Sequence, residues 1–215
     1  MKRVSSTWKK SPGRPPAHAK EVATSEKILQ VAADLFMAQG FESVTVDAVA
    51  RECQVTKATV YYYYATKAAL FTAAVIRLMD SIAQKTQAIL DRDEPLQQRL
   101  LLIAKIRLMT GGTRLDFDMV LHEADLSLNE EQRQAMHDAE QELTNRIMRA
   151  FAEAIEKGQV KPLSAHFYAL AYLTLLNSFH MRLFNELEKA VTADNLAVTM
   201  MDFFWSGAGI SSSVV

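Results

Sequence analysis

The chain has 215 residues, which is room for one large domain or two small ones. Apolar residues make up 49% and charged residues 23% of the sequence, and this balance excludes a wholly disordered chain. Only seven glycines and five prolines interrupt long stretches of strong helix formers, whereas an all-β fold needs frequent turn signals. The composition therefore predicts an all-α protein.

Cysteine usage and the lack of targeting signals indicate the compartment in which the protein works. The single cysteine, Cys53, excludes an intramolecular disulfide and fits a reducing compartment. The basic N-terminus lacks the apolar run that a signal peptide has. The longest apolar-looking stretch, residues 167–179, is interrupted by polar side chains and falls short of the roughly 20 residues that span a bilayer. We expect a soluble, cytoplasmic protein with no membrane partner.

Charge is divided unevenly along the chain. The net charge is −1, but residues 1–72 hold ten basic and six acidic side chains, while residues 73–215 hold fourteen basic and nineteen acidic ones. A basic N-terminal third on an acidic body is typical of a polyanion-binding module attached to a domain with another role. A solvated basic tail explains the asymmetry equally well.

The first 20 residues contain six Lys and Arg, no acid and no helical periodicity, so we predict a flexible basic arm over residues 1–20. Its segment Gly13-Arg14-Pro15 combines an extended backbone with a cation, which suits a narrow DNA minor groove. Arg14 is therefore a candidate DNA contact. A linker remnant would have the same composition.

Helix signals follow the arm. We predict a helix over residues 24–39, with Thr24 or Ser25 at its start and Gly40 in the left-handed conformation that ends it. Three further helices are predicted after threonines, whose hydroxyl groups accept hydrogen bonds from free amides of a first turn. These threonines and their helices are Thr45 with 46–53, Thr56 with 57–63, and Thr66 with 67–90. A short helix, a tight turn and a second short helix form a helix-turn-helix.

Several spaced positions identify this unit more closely. They are Leu35-Phe36, Gly40-Phe41, Thr45-Val46, Val49-Ala50, the run from Val55 to Tyr61, Tyr64, Lys67 and Leu70. Over about residues 25–72 this pattern resembles the N-terminal domain of TetR-type transcriptional regulators. The family usually has Ala-Gly where Cys53-Gln54 stands, and Gln suits a positive φ less than Gly does. This departure predicts a strained or differently shaped turn.

The resemblance implies a double-stranded DNA operator as partner and a recognition helix that begins after Thr56. Lys57 and the cap Thr56 can reach phosphate, and Thr45 and Lys67 stand at the starts of the flanking helices where phosphate would also lie. Thr59 carries a methyl and a hydroxyl group, which suit a thymine methyl or a polar base edge.

Consecutive tyrosines extend this surface. By resemblance, Tyr61 and Tyr63 contact the DNA backbone and Tyr62 lies nearer the bases. Tyr64 stands where the family usually has Phe, as the core aromatic that packs on Leu35 and Leu70. Packing alone would account for one of the four tyrosines but not for all.

The remaining helices form a larger unit. We predict them over residues 95–110, 114–124, 129–157, 164–189 and 192–205. The predicted organisation is a helix-turn-helix DNA-binding domain of three helices at residues 21–72, followed by a helical ligand-binding and dimerisation domain at residues 73–215.

The last two predicted helices are apolar on two sides. In the first, one stripe contains Phe167 and Leu170 and another contains Tyr168 and Tyr172. In the second, one side presents Leu196, Met200, Phe203 and Phe204, and the other presents Ala197, Met201 and Trp205. A surface helix needs one apolar stripe, so the second stripe has to meet a partner chain unless the helix is central to a single core. TetR-type regulators dimerise through these helices, which implies a homodimer through residues 164–205.

A small-molecule cavity is expected in the C-terminal domain. Polar candidates amid apolar helix faces are Arg107, His122, Asn177, Ser178 and His180. Adaptable lining residues are Met109, Met119, Met148 and Met181. Each of them, taken singly, is also compatible with a purely structural role.

Catalytic signatures are missing from the sequence. It has no phosphate-binding glycine loop, no nucleophile elbow and no His-Glu-x-x-His motif. We expect no catalytic residue, no metal site and no cofactor. The resemblance implies a ligand-responsive regulator, a repressor that a small molecule releases from its operator. A helical dimer that coats DNA without sequence preference or inducer, and an enzyme with a helical core, stay open as alternatives.

Overall fold

A computed structural model of the chain describes residues 17–111, 117–178 and 192–208. Within these ranges every regular element is helical, which confirms the predicted all-α fold. The helices are α1 (Ala17–Gln39), α2 (Val46–Glu52), α3 (Lys57–Tyr63), α4 (Lys67–Leu90), α5 (Leu96–Gly111), α6 (Phe117–Ala124), α7 (Glu130–Glu156), α8 (Ala165–Ser178) and α9 (Ala193–Ala208). A 3-10 turn, Asp125–Ser127, joins α6 to α7. None of the described helices is both long and apolar enough to cross a membrane.

The predicted caps lie at the helix starts. The hydroxyl oxygens of Thr45, Thr56 and Thr66 each accept a hydrogen bond from the backbone amide three residues on, at 3.0–3.1 Å. Asn129 begins α7 with a reciprocal capping box to Gln132. Each such cap stabilises its helix by about 1 kcal/mol. These local signals explain why the boundaries of α2, α3, α4 and α7 match the sequence prediction.

The start of α1 differs from the prediction. The predicted start at Thr24 or Ser25 is wrong, because the helix already begins at Ala17 and takes in the last four residues of the predicted arm. This first stretch contains helix formers but no apolar stripe, so its periodicity gives no signal. The rest of the arm, with Arg14, lies outside the described residues. Gly40 ends α1 with a φ of +84°, as predicted.

Two hydrophobic cores lie along the chain, and α4 passes through both. The first packs α1, α2 and α3 against the first half of α4, and Phe36 meets Phe71 edge to face at 5.0 Å. Val120 and Ala124 of α6 are buried in the same core. The boundary predicted after residue 72 therefore falls inside a continuous helix, and part of the larger unit completes the N-terminal core.

The second core is formed by the end of α4 together with α5, α7, α8 and α9. Tyr172 lies fully buried at its centre and donates a hydrogen bond from its hydroxyl to the carbonyl oxygen of Leu100 at 2.8 Å. Burial raises the pKa of the Tyr172 hydroxyl, so this group stays a neutral donor. The core thus contains a specific polar contact between α5 and α8.

The prediction that the last two helices are apolar on two sides agrees with the structure for α8 but not for α9. On α8, Tyr168 and Tyr172 are buried while Phe167 and Leu170 are exposed, which agrees with the two predicted stripes. On α9 the predicted grouping is wrong, because Phe203 is 75% exposed whereas Leu196 and Met200 are buried. Phe203 lies on the solvent-facing side of α9, together with the exposed residues Asn195, Thr199, Asp202 and Ser206.

Candidate nucleic-acid interface

The turn between α2 and α3 has the tight geometry of a helix-turn-helix. Gln54 adopts a φ of +57°, the left-handed conformation that favours glycine. The amide of Val55 then donates to the carbonyl oxygen of Ala50 at 2.9 Å. Val49 and Val60, one from each helix, are fully buried beneath the turn. The expected strain at this position is therefore present and is localised in Gln54.

Cys53 is a structural residue of the same turn. Its side chain is buried, and its thiol lies 3.9 Å from the carbonyl oxygen of Lys27 on α1. Burial raises the pKa of the Cys53 thiol, and the nearby Lys27 ammonium only partly opposes this effect. The thiol is consequently protonated at neutral pH, as a small buried hydrophobe would be.

The first turn of α3 holds three of the predicted contact residues. Lys57 is exposed, and its Nζ donates to the Asp47 carboxylate of α2 at 2.6 Å. This hydrogen bond raises the pKa of Lys57, so the side chain is fully cationic. Thr59 is half-buried, and its hydroxyl lies 2.8 Å from the Thr56 hydroxyl. A DNA phosphate near Lys57 would therefore compete with Asp47, a partner that was not predicted from the sequence.

The four tyrosines face in different directions, as three consecutive helical residues must. Tyr62 is 76% exposed, and Tyr61 is exposed beside it. Tyr63 is half-buried and donates from its hydroxyl to the carbonyl oxygen of Glu21 on α1 at 3.3 Å. Tyr64 packs against the first core, and its hydroxyl lies 2.8 Å from that of Ser25. Tyr61 and Tyr62 thus project most freely from α3.

Lys67 begins α4 and is held at the edge of the α3 surface. Its Nζ donates to the carbonyl oxygen of Glu42 at 3.1 Å and lies 4.4 Å from the centre of the Phe41 ring. A cation over an aromatic face is attracted by the ring quadrupole. The ammonium group is accordingly fixed in place and has no carboxylate partner among the residues that the structure describes, so its charge is available to an anion.

A hydrogen bond connects α6 to the loop between α1 and α2. The Glu123 carboxylate on α6 accepts a hydrogen bond from the backbone amide of Phe41 at 2.9 Å. A Cβ atom built on Gly40 would lie 2.6 Å from the same carboxylate oxygen, so a side chain at this position would displace the Glu123 carboxylate. The sequence alone does not reveal the role of Glu123, since 82 residues separate it from Phe41 and no local pattern indicates the pairing.

The predicted ligand residues do not form one group. Arg107 on α5 and Asn177 on α8 meet, with Nη2 of the arginine donating to the amide oxygen at 2.9 Å. His122 is exposed on α6, which packs on α1. The side chain of Ser178 and the whole of His180 lie outside the described residues. Met109 is 70% exposed and Met119 is also exposed, so neither lines an enclosed cavity. Met181 lies outside the described residues, and Met148 packs at the edge of the second core.

The described residues contain no cluster of His, Cys, Asp and Glu that could hold a metal ion. An open cleft lies elsewhere, between α4, α5 and α7. It was not among the predicted sites, because residues from three separate parts of the chain form it.

Several solved structures share this fold. FadR from Bacillus subtilis, in complex with stearoyl-CoA, superposes with a TM-score of 0.67 at 16% identity, over 85% of this chain and 98% of that one. Reduced E. coli NemR gives a TM-score of 0.73 at 15% identity, over 88% and 99%. AibR, in complex with isovaleryl coenzyme A and operator DNA, gives 0.62 at 18% identity, over 84% and 97%.

The sequence matches cover a small part of the chain. Over 58 residues the chain is 41% identical to YdeS of Bacillus subtilis strain 168, an uncharacterized HTH-type transcriptional regulator, and this match spans 27% of either chain. Residues 28–74 match the family model of bacterial regulatory proteins of the tetR family. This segment runs from the middle of α1 through the helix-turn-helix to the start of α4. Residues 28–74 are therefore similar to the N-terminal domain of the tetR family of bacterial regulatory proteins.

Proposed function

We propose that the protein is a transcriptional repressor that binds an operator in double-stranded DNA and is released from it by a small molecule. The observation that carries the proposal is the outward face of α3, where Lys57, Tyr61 and Tyr62 are exposed on a helix-turn-helix similar to that of the tetR family. Such a helix enters the major groove and reads base edges from its first turns. Tyr62, which is 76% exposed, is proposed to reach the bases.

Flanking groups of this surface suit the DNA backbone. Lys67 carries a cation with no carboxylate partner in the described part of the chain, and Lys57 can exchange Asp47 for a phosphate. Thr45 and Thr56 lie at the starts of α2 and α3, beside the same surface. Contacts of this kind set the position and the salt dependence of binding, whereas the bases set its sequence preference. Thr59 is proposed to contribute to that preference through its methyl group.

Dimerisation would bring two such surfaces onto one operator. Phe167 and Leu170 on α8, and Phe203 on α9, are large apolar side chains exposed to solvent in the single chain. Exposed apolar residues of this size on adjoining helices favour a protein partner. A second copy joined through residues 164–205 would place the recognition helices on two half-sites about 34–36 Å apart, one turn of DNA.

The response to a ligand is supported by the continuity of the fold. α4 begins beside the recognition helix and ends in the second core, while Glu123 connects α6 to the α1–α2 loop. A small molecule that shifts either helix would change the spacing of the two recognition helices. Release requires that the ligand bind the DNA-incompetent state more tightly, because a ligand with equal affinity for both states shifts nothing. Two regulators of similar fold were solved with acyl-CoA ligands.

The test is selection of bound duplexes from a random library, followed by fluorescence anisotropy on the enriched sequence and on a scrambled duplex of equal composition. We expect enrichment of a pseudo-palindrome, with affinity about 10³-fold or more above that for the scrambled duplex at physiological salt. A ratio near unity would instead support the protein that coats DNA without sequence preference.

A further inference from the structure

An arginine-lined cleft of about 600 Å³ lies at the end of α4 opposite the helix-turn-helix. It is bounded by the last turn of α4, the first turn of α5 and the second half of α7. Four arginines line it: Arg92 from the α4–α5 loop, Arg99 from α5, and Arg146 and Arg149 from α7. This volume is in the range of small-molecule sites.

The carboxylates of the cleft are already engaged. Glu142 accepts hydrogen bonds from Arg146 at 2.9 Å and from Arg149 at 3.3 Å, so one negative charge serves two guanidinium groups. Glu153 lies 3.8 Å from Lys157, and the Asp91 carboxylate accepts from the amide of Gln87 at 2.6 Å. The Gln87 amide is neutral, so Asp91 keeps its full negative charge, and the four arginines of the lining exceed its three carboxylates by one positive charge.

Two arginines carry this surplus. Arg99 donates from Nη1 to the carbonyl oxygen of Leu90, but its Nε is buried and has no hydrogen-bond partner in the described part of the chain. Arg92 is exposed, and its guanidinium group contacts no carboxylate among the described residues. A guanidinium group has five N–H donors in a planar fork, and an unsatisfied buried donor costs free energy. Arg92 therefore has donors available to a ligand, and Arg99 of the same lining has a buried donor that is not satisfied.

We propose that this cleft binds the phosphate group of the small-molecule effector. A phosphate monoester offers three acceptor oxygens and up to two negative charges, and guanidinium groups bind it in a bidentate manner. A carboxylate offers fewer oxygens and one charge, so it would leave more of the convergent donors unused. The role of the bound molecule as effector rests on the function proposed above, whereas the binding of phosphate does not.

Inorganic pyrophosphate is a suitable probe for isothermal titration of the full chain at constant ionic strength. We expect saturable binding to the wild type and, for Arg92→Gln, an affinity about 10- to 100-fold lower, because one charge-assisted contact is lost. Lys85→Gln is the matched control, since it removes an exposed cation from α4 that does not line the cleft. This control should bind like the wild type, and succinate should bind more weakly than pyrophosphate.

Absence of saturable pyrophosphate binding would overturn the proposal, as would an equal loss in Arg92→Gln and Lys85→Gln, or tighter binding of succinate. Arg149→Gln provides a second variant that should also weaken binding, with circular dichroism confirming that each variant is folded. Anisotropy on a selected duplex separates this result from the proposed function. A chain that binds the duplex but not pyrophosphate refutes the phosphate site alone, and the reverse outcome refutes the DNA-binding function alone.

Discussion

Replacing Gly40 by alanine should disturb the contact that links α6 to the DNA-binding helices. Gly40 has a φ of +84°, and a Cβ atom there would lie 2.6 Å from the carboxylate oxygen of Glu123. The same oxygen accepts the hydrogen bond from the Phe41 amide. Alanine would therefore incur the cost of the left-handed backbone and would also push the carboxylate off its donor.

The two costs can be estimated separately. A non-glycine residue in the left-handed region costs about 1–2 kcal/mol. Losing a hydrogen bond to a charged group costs about a further 1.5–3 kcal/mol. Gly40→Ala should accordingly lower the free energy of unfolding by about 2.5–5 kcal/mol. Gly158→Ala should cost only the first amount, because Gly158 has a φ of +65° and no atom lies within 4 Å of its Cβ position.

Urea unfolding of the single variants and of Gly40→Ala combined with Glu123→Ala measures these costs. Once Glu123 is already alanine, Gly40→Ala should cost no more than Gly158→Ala, so the coupling free energy should be about 1.5–3 kcal/mol. Additive costs of Gly40→Ala and Glu123→Ala would refute the reasoning, and so would equal costs of Gly40→Ala and Gly158→Ala in the wild-type background.

Further predictions concern dimerisation, DNA contacts and thiol reactivity. Phe203→Glu should convert a dimer to monomers in sedimentation at micromolar concentration without loss of helix content, and a wild type that sediments as a monomer contradicts the proposed interface. Lys67→Ala should reduce the slope of log K against log salt by about 0.9 on all duplexes. Thr59→Gln should change base preference, by about 1–3 kcal/mol at one position, and leave that slope unchanged; equal weakening on all duplexes would rule out base reading by Thr59. Cys53, whose pKa is raised by burial, should react with iodoacetamide at pH 8 at least about tenfold more slowly in the native protein than in urea, and equal rates would show that the thiol is accessible.

Local signals account for what the sequence predicted correctly. Thr45, Thr56 and Thr66 each cap a helix through an atom three residues away, so a short window of sequence contains the whole interaction. The positive φ of Gln54 follows from the same tight spacing. The start of α1 was missed because a solvated helix turn without apolar residues has no periodicity to detect.

The features that were not predicted from the sequence depend mainly on contacts between distant segments of the chain. Glu123 and Phe41 are 82 residues apart, and a single carboxylate on a predicted helix is ordinarily a solvated group. Glu142, Arg146 and Arg149 form a visible stripe on α7, but their meeting with Arg92 and Arg99 depends on how α4, α5 and α7 pack. Phe203 was grouped with Leu196 and Met200 because all three are apolar, and a hydrophobic pattern does not distinguish an exposed apolar side chain from a buried one.

A change of half-site spacing provides a decisive test of sequence reading by a pair of recognition helices. The selected duplex is compared by fluorescence anisotropy with the same duplex after insertion of five base pairs between its half-sites, which moves them to opposite faces of the DNA. A dimer whose two α3 helices read adjacent major grooves should lose its preference, and its affinity should fall to that for a scrambled duplex. Unchanged affinity after the insertion would contradict operator recognition by this protein.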